Sequence, residues 1–237
     1  RSLPRLNPAD LLPSIIYPVY VHIFLTGVLM SRVSFSISIS KPNPGMRVAA
    51  ALETVFSGLE LGSGCPPTVI CVGTDRATGD SLGPLVGSML TWNNYPGKVL
   101  GTLEEPVHAG NLEQALTLLD GTGRMILGVD ACLGTKKEVG TIIVSQGPLR
   151  PGLGVKKQLP PVGHLHIAGV VNVGGFMEHL VLQSTRLNLV VKMAQAIAWG
   201  IILATSGPHS SERVPTPPVL TTGGLPLQLL PASVRQL

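Results

Sequence analysis

A chain of 237 residues is long enough for one sizeable α/β unit with tails or for two small ones, and 44% hydrophobic against 13% charged residues excludes general disorder. The net charge of +4 is thinly spread and aromatics make up only 4%, so neither the basic stripe nor the stacking platform of a nucleic-acid binder is present. Three cysteines without a CxxC pair exclude a disulfide framework and fit a reducing compartment.

Residues 1–30 differ in character from the rest of the chain. No residue between Asp10 and Arg32 carries a formal charge, and Ile15 to Met30 is strongly apolar. That length approaches the ~20 residues of a membrane helix, but Pro13 and Pro18 interrupt it. Two expectations stand: a signal-like or anchoring segment, or upstream sequence carried into the frame before Met30. Membrane contact is expected only if residues 11–30 are genuinely expressed.

From Val33 the chain alternates apolar residues with Ser34, Ser36, Ser38 and Ser40, the period of a half-buried strand. A Lys41–Gly45 turn leads into a helix over 46–59, apolar at Val48, Leu52, Val55, Phe56 and Leu59. Thr68 to Val72 is a short β-branched run ending at Gly73, which predicts a buried strand. The loop after it carries Asp75, Arg76 and Asp80 and feeds a helix from Ser81 to about Leu90. Further strands are expected at 98–103, 124–129, 140–145 and 164–171, with a helix over 112–119. The prolines and lysine pair of 147–161 mark a long surface loop, and 176–204 keeps helical spacing throughout. Residues 206–237, rich in Pro, Thr, Ser and Gly, are expected to be a disordered tail after one unit spanning 31–205.

Strands alternating with helices predict a three-layer α/β/α fold around a mostly parallel sheet. In such a sheet the loops after the strands share one edge, where open α/β folds place their chemistry. One loop brings Asp75, Arg76 and Asp80; the next brings Glu104, Glu105, His108 and Asn111; later ones bring Asp130 and Asn172. Two carboxylates meeting there can share a proton as base and acid, or hold a divalent metal with a histidine or amide. The plain structural alternatives are that Asp80 caps its helix and that Asp130 bonds the following turn. His164 and His166 share a strand face but suit a core pair as well as a metal, and His179 is expected to face solvent. Cys71 suits a buried apolar position, and Cys132 has no identifiable histidine partner for a catalytic thiol.

The stretches Val72–Pro84 (VGTDRATGDSLGP), Val129–Gly134 (VDACLG) and Gly169–Glu178 (GVVNVGGFME) resemble the YyaC family of endospore-forming bacteria, which is grouped with spore proteases. Glu104–Ala109 and Gln183–Leu189 fit as well, so the resemblance runs over about 33–204 in five ordered blocks. The family is similar to the spore germination proteases and, more distantly, to the hydrogenase-maturation endopeptidases. The resemblance implies a phosphorylase/hydrolase-like α/β/α fold with two acidic site positions, which fall on Asp80 and Asp130. The maturation enzymes add a histidine that helps recognise nickel, and no histidine here is matched to it, so metal and cofactor remain unassigned.

The resulting expectation is a cytoplasmic, sporulation-associated peptide hydrolase in which Asp80 and Asp130 activate water. Asp75, Arg76, Glu105, His108 and Asn172 are the expected auxiliary or substrate-binding residues. The expected partner is a peptide or protein substrate, with self-association of the chain as a further expectation. The rival is a catalytically inactive peptide- or protein-binding factor on the same fold, and a metal-carrying role is a third alternative.

Overall fold

The computed structural model describes residues 19–25, 28–59, 65–119, 123–151 and 159–206, with side chains from residue 33 onward. The elements in chain order are β1 (Val19–Leu25), β2 (Val28–Ser38), α1 (Pro44–Ser57), β3 (Thr68–Cys71), α2 (Leu82–Trp92) and β4 (Val99–Leu100). They continue with α3 (Leu112–Thr117), β5 (Ile126–Gly134), β6 (Thr141–Gln146), β7 (Leu165–Val173), α4 (Glu178–Gln183) and α5 (Leu187–Thr205).

The strands form one seven-stranded sheet in the order β1-β2-β6-β7-β5-β3-β4. It is parallel across β4, β3, β5 and β7 and antiparallel across β7, β6, β2 and β1. The expected mostly parallel sheet is therefore mixed, parallel in the half that carries the polar loops. The reversal comes from the tight turn after β5. Glu138 accepts from Thr135 N and Oγ1 at 2.8 and 2.7 Å, closing a turn too short for the crossover that a parallel connection needs.

Helices cover both faces, which makes the three layers. The main core lies under α1, α2 and α5, and a smaller one lies under α3 and the segments around Leu149 and Val162. β3 shows why a strand between two layers reads as an unbroken apolar run. Val69 and Cys71 enter the main core, while Ile70 and Val72 enter the smaller one. In α5, Val190, Met193, Ala194, Ile197 and Ile201 form the buried stripe that meets α1 and α2. By length and a mean hydropathy of 1.7, α5 could cross a membrane, but here that stripe packs inside the protein.

Where described, the apolar run within 11–30 is extended backbone, β1 pairing antiparallel with β2. Two expected elements are corrected. The strand expected over 98–103 is only Val99–Leu100, because Gly101 takes φ +88° where a side chain would meet the Cys71 carbonyl oxygen. The single helix expected over 176–204 is broken into α4 and α5 by Ser184–Arg186. Its break is a tertiary effect: the Leu182 carbonyl accepts from Gly79 N at 2.8 Å and the Val181 carbonyl from Asn172 Nδ2 at 3.2 Å. Residues 1–18, most of the loop centred on 152–158, and the tail from 207 lie outside the described residues.

Candidate active site

The loop between β3 and α2 is fastened at both ends. Val72 N donates to Val129 O at 2.7 Å, Gly73 N to Val107 O at 2.8 Å, and Thr74 N to Asp80 O at 3.2 Å. Gly73 has φ +142°, and a side chain there would meet the Asp80 carbonyl oxygen. Gly79 N reaches across to Leu182 O, which ties this loop to α4. The helix starts at Leu82 with Ser81 in the cap position and no side-chain cap bond. Asp80 is thus not the helix cap, and its side chain lines a cavity instead.

Asp130 reaches the same cavity from the neighbouring strand. It lies within β5 rather than at its end, but β3 pairs with β5 only as far as Cys71 opposite Val129. Asp130 is the first residue beyond that pairing. Alternation along β5 turns it to the α3 side, the side of Ile126, while Leu127 and Val129 face the main core. Its Oδ1 accepts from Ala131 N at 2.7 Å.

Both acids line a cavity of about 840 Å³ at the carboxyl edge of the parallel strands. Burial and the neighbouring Asp80 charge hold the Asp130 carboxyl well above the usual carboxylate range, opposed weakly by the Ala131 N–H. Burial raises Asp80 too, offset by the Thr74 N–H and by the charges of His108 and His179. Burial thus biases the neutral form toward Asp130 rather than Asp80. Cys132, two residues on, is pushed up to about 12 by burial and by the Asp130 and Glu138 charges, and is no nucleophile.

Of the expected auxiliary residues, Asp75, Arg76 and His108 line the cavity. His108 is oriented by its loop: its main-chain N–H donates to Asn111 Oδ1 at 2.8 Å, and Gly110 N lies 3.1 Å from its Nδ1. Glu105 lines an adjoining hollow of about 500 Å³ rather than the cavity itself. Asn172 is a correction. It does not line the cavity; its amide donates to Val181 O at 3.2 Å and to Thr185 Oγ1 at 3.1 Å, so it holds α4 against β7.

The cavity also holds Glu104, which the loop reading had brought to this edge, together with His179 and Gln183, which were not expected in the site. His179, expected to face solvent from its place in the first turns of a helix beside Glu178, is exposed, and it also lines the cavity close enough to Asp80 to act on its charge, with Gln183 Nε2 3.2 Å from its Nε2. Its one sequence signal is the Gly174-Gly175 pair, which frees the chain between β7 and α4.

Among the described residues no three His, Cys, Asp or Glu side chains converge to hold a metal ion.

The family model described as "Protein of unknown function (DUF1256)" matches residues 50–200. A Bacillus subtilis (strain 168) protein described as "Uncharacterized protein YyaC" is 47% identical over 170 residues, 70% of this chain and 83% of that one. A solved structure, the [NiFe] hydrogenase maturation protease HycI from Thermococcus kodakarensis KOD1, aligns with 64% of this chain and 97% of its own at 21% identity and a TM-score of 0.42. The five blocks around Asp80 and Asp130 lie within or beside the matched span, and the chain belongs to the DUF1256 family, as a relative of YyaC.

Proposed function

We propose that this protein hydrolyses peptide bonds with Asp80 and Asp130 as an acid–base pair. The observation that carries this reading is that two acids, one from β5 and one from the loop after β3, line one cavity, and one of them is desolvated and biased toward its neutral form. Asp80, as carboxylate, takes a proton from a water held between the pair, and the oxygen attacks the scissile carbonyl carbon. Asp130 donates its proton toward the carbonyl oxygen as negative charge develops there. Collapse of the tetrahedral species returns that proton to Asp130, while Asp80 gives its own to the departing amine. His108 and His179 keep Asp80 from rising as far as Asp130, which separates the roles of base and acid. The setting that goes with the resemblance is the cytoplasm of a sporulating cell, with a spore polypeptide as substrate.

The Ala131 N–H bond to Asp130 is the observation favouring the rival, a binding protein in which that acid is merely structural. The test is incubation of purified protein with reduced, carboxymethylated casein and with extracted spore proteins, new termini being identified by mass spectrometry. Asp80→Asn and Asp130→Asn should each lose cleavage by about 10²–10⁴-fold, the range for positioned acid–base groups. Undiminished cleavage in both variants would remove the mechanism. Capture of a polypeptide with unaltered mass establishes the rival.

A further inference from the structure

β4 is the edge of the sheet, and among the described residues it pairs only with β3. Val69 N donates to Lys98 O at 2.8 Å. In a parallel ladder the residue aligned with Val69, which is Val99, then turns its own N–H and C=O away from β3. Alongside lies the hollow of about 500 Å³, bounded by Val99–Thr102, by Glu105–His108 and by α3. Its apolar wall includes Leu100, Pro106, Ala115 and Leu118, and Leu118 is 58% exposed on the rim. Lys98 Nζ donates to the Leu118 carbonyl at 3.1 Å, fixing the end of α3 at that rim. Pro106 and His108 line both this hollow and the acidic cavity, so the two adjoin.

An apolar trough beside a free strand edge is suited to one kind of ligand. A main chain supplies the N–H and C=O partners along the edge whatever its sequence, while its alternate side chains enter the trough. At about 3.3 Å per residue, Val99 to Thr102 offers room for roughly three or four residues of an added strand. We propose that the β4 hollow binds an extended polypeptide segment, which adds to the sheet edge at Val99 and leads the adjoining residues past Pro106 and His108 to Asp80 and Asp130. What happens to the delivered bond rests on the proposed hydrolase activity; the docking does not.

The probe is reduced, carboxymethylated α-lactalbumin, which has no fold of its own. Its binding to the full chain is followed by fluorescence anisotropy, and amide protection by hydrogen exchange. Val99→Pro removes only the outward donor, a position where an edge strand accepts proline. Leu118→Glu, at an exposed site, puts a charge on the apolar rim without touching the ladder. Added probe is expected to protect the amides of 98–102, and each variant to weaken binding about tenfold while wild-type melting is kept. With a cleaved substrate, KM should rise and kcat stay unchanged. Undiminished binding in Leu118→Glu together with unchanged exchange at 98–102 overturns the proposal, even if Val99→Pro fails to fold. Protection at β4 with no cleavage supports the docking and removes the hydrolase reading. Cleavage with wild-type KM in both variants removes the docking and leaves the hydrolase.

Discussion

Gly83, in the Asp-Ser-Leu-Gly-Pro run, tests the link between packing and site. It lies in the first turn of α2, where a β-carbon would stand 2.1 Å from Val72 O, 2.8 Å from Val72 C and 2.9 Å from Val72 N. Its neighbours are main chain of β3's end, which has no rotamer to change. Real β-carbon contacts essentially never fall below 3.0 Å, so in Gly83→Ala the helix start must retreat by about 1 Å. Helix propensity gains about 1 kcal/mol, whereas overpacking of this kind costs about 1–3 kcal/mol and here sits at the upper end or beyond. The expected net loss is about 2 kcal/mol, a fall in melting temperature of roughly 4–8 °C for a domain of this size. Since Asp80 lies three residues upstream on the same fastened loop, activity should fall by more than the unfolded fraction explains. Gly58→Ala is the control: Gly58 has right-handed backbone and its nearest atom is 3.6 Å away, so stability should hold or rise slightly. Urea denaturation of the two variants beside wild type decides it. Equal stability of Gly83→Ala and wild type would show that α2 is not pressed against the end of β3.

Replacing Asp130 separates stability from activity. Its folded-state carboxyl is raised by burial and by Asp80, so the native state binds that proton more tightly than the unfolded chain. The associated stability is complete below the ordinary carboxylate range and is lost as pH rises through the raised folded value. Asp130→Asn should therefore melt higher than wild type at pH 7, the gap closing on acidification toward pH 4, while cleavage falls by about 10²–10⁴-fold; a lower melting point at pH 7 would refute the desolvation argument. Thiol reactivity reads the strands independently. Exposed Cys65 should react promptly with Ellman's reagent, Cys132 slowly, and fully buried Cys71 only on unfolding, as counted by stopped-flow absorbance.

What could be read from the chain divides along physical lines. β3 and the loop after it were legible because their signals are local: a β-branched run, glycines where the backbone must crowd, and acids outside an apolar segment. That Asp80 and Asp130 share a cavity followed from the parallel pairing of β3 with β5, which strand–helix alternation implies. The antiparallel half was not legible, since periodicity tells that a segment is a strand and not which way its neighbour runs. The break between α4 and α5 was hidden for a related reason. Apolar spacing continues through Ser184–Arg186, and the carbonyls that end α4 are claimed by Gly79 and Asn172, far away in sequence. His179 was not assigned to the cavity, and Asn172 passed for a site residue when it is a strut.

β5 outruns β3, and this has a consequence for how the family can vary. Side chains on a strand change sides at every step, so deleting a single residue between Ile126 and Asp130 would carry the carboxyl through the sheet into the aliphatic layer beneath α2 and α5. A connection between elements carries no such parity and can change length without turning a side chain to the other face. The spacing inside β5 cannot, and length polymorphism among relatives should stop at its borders.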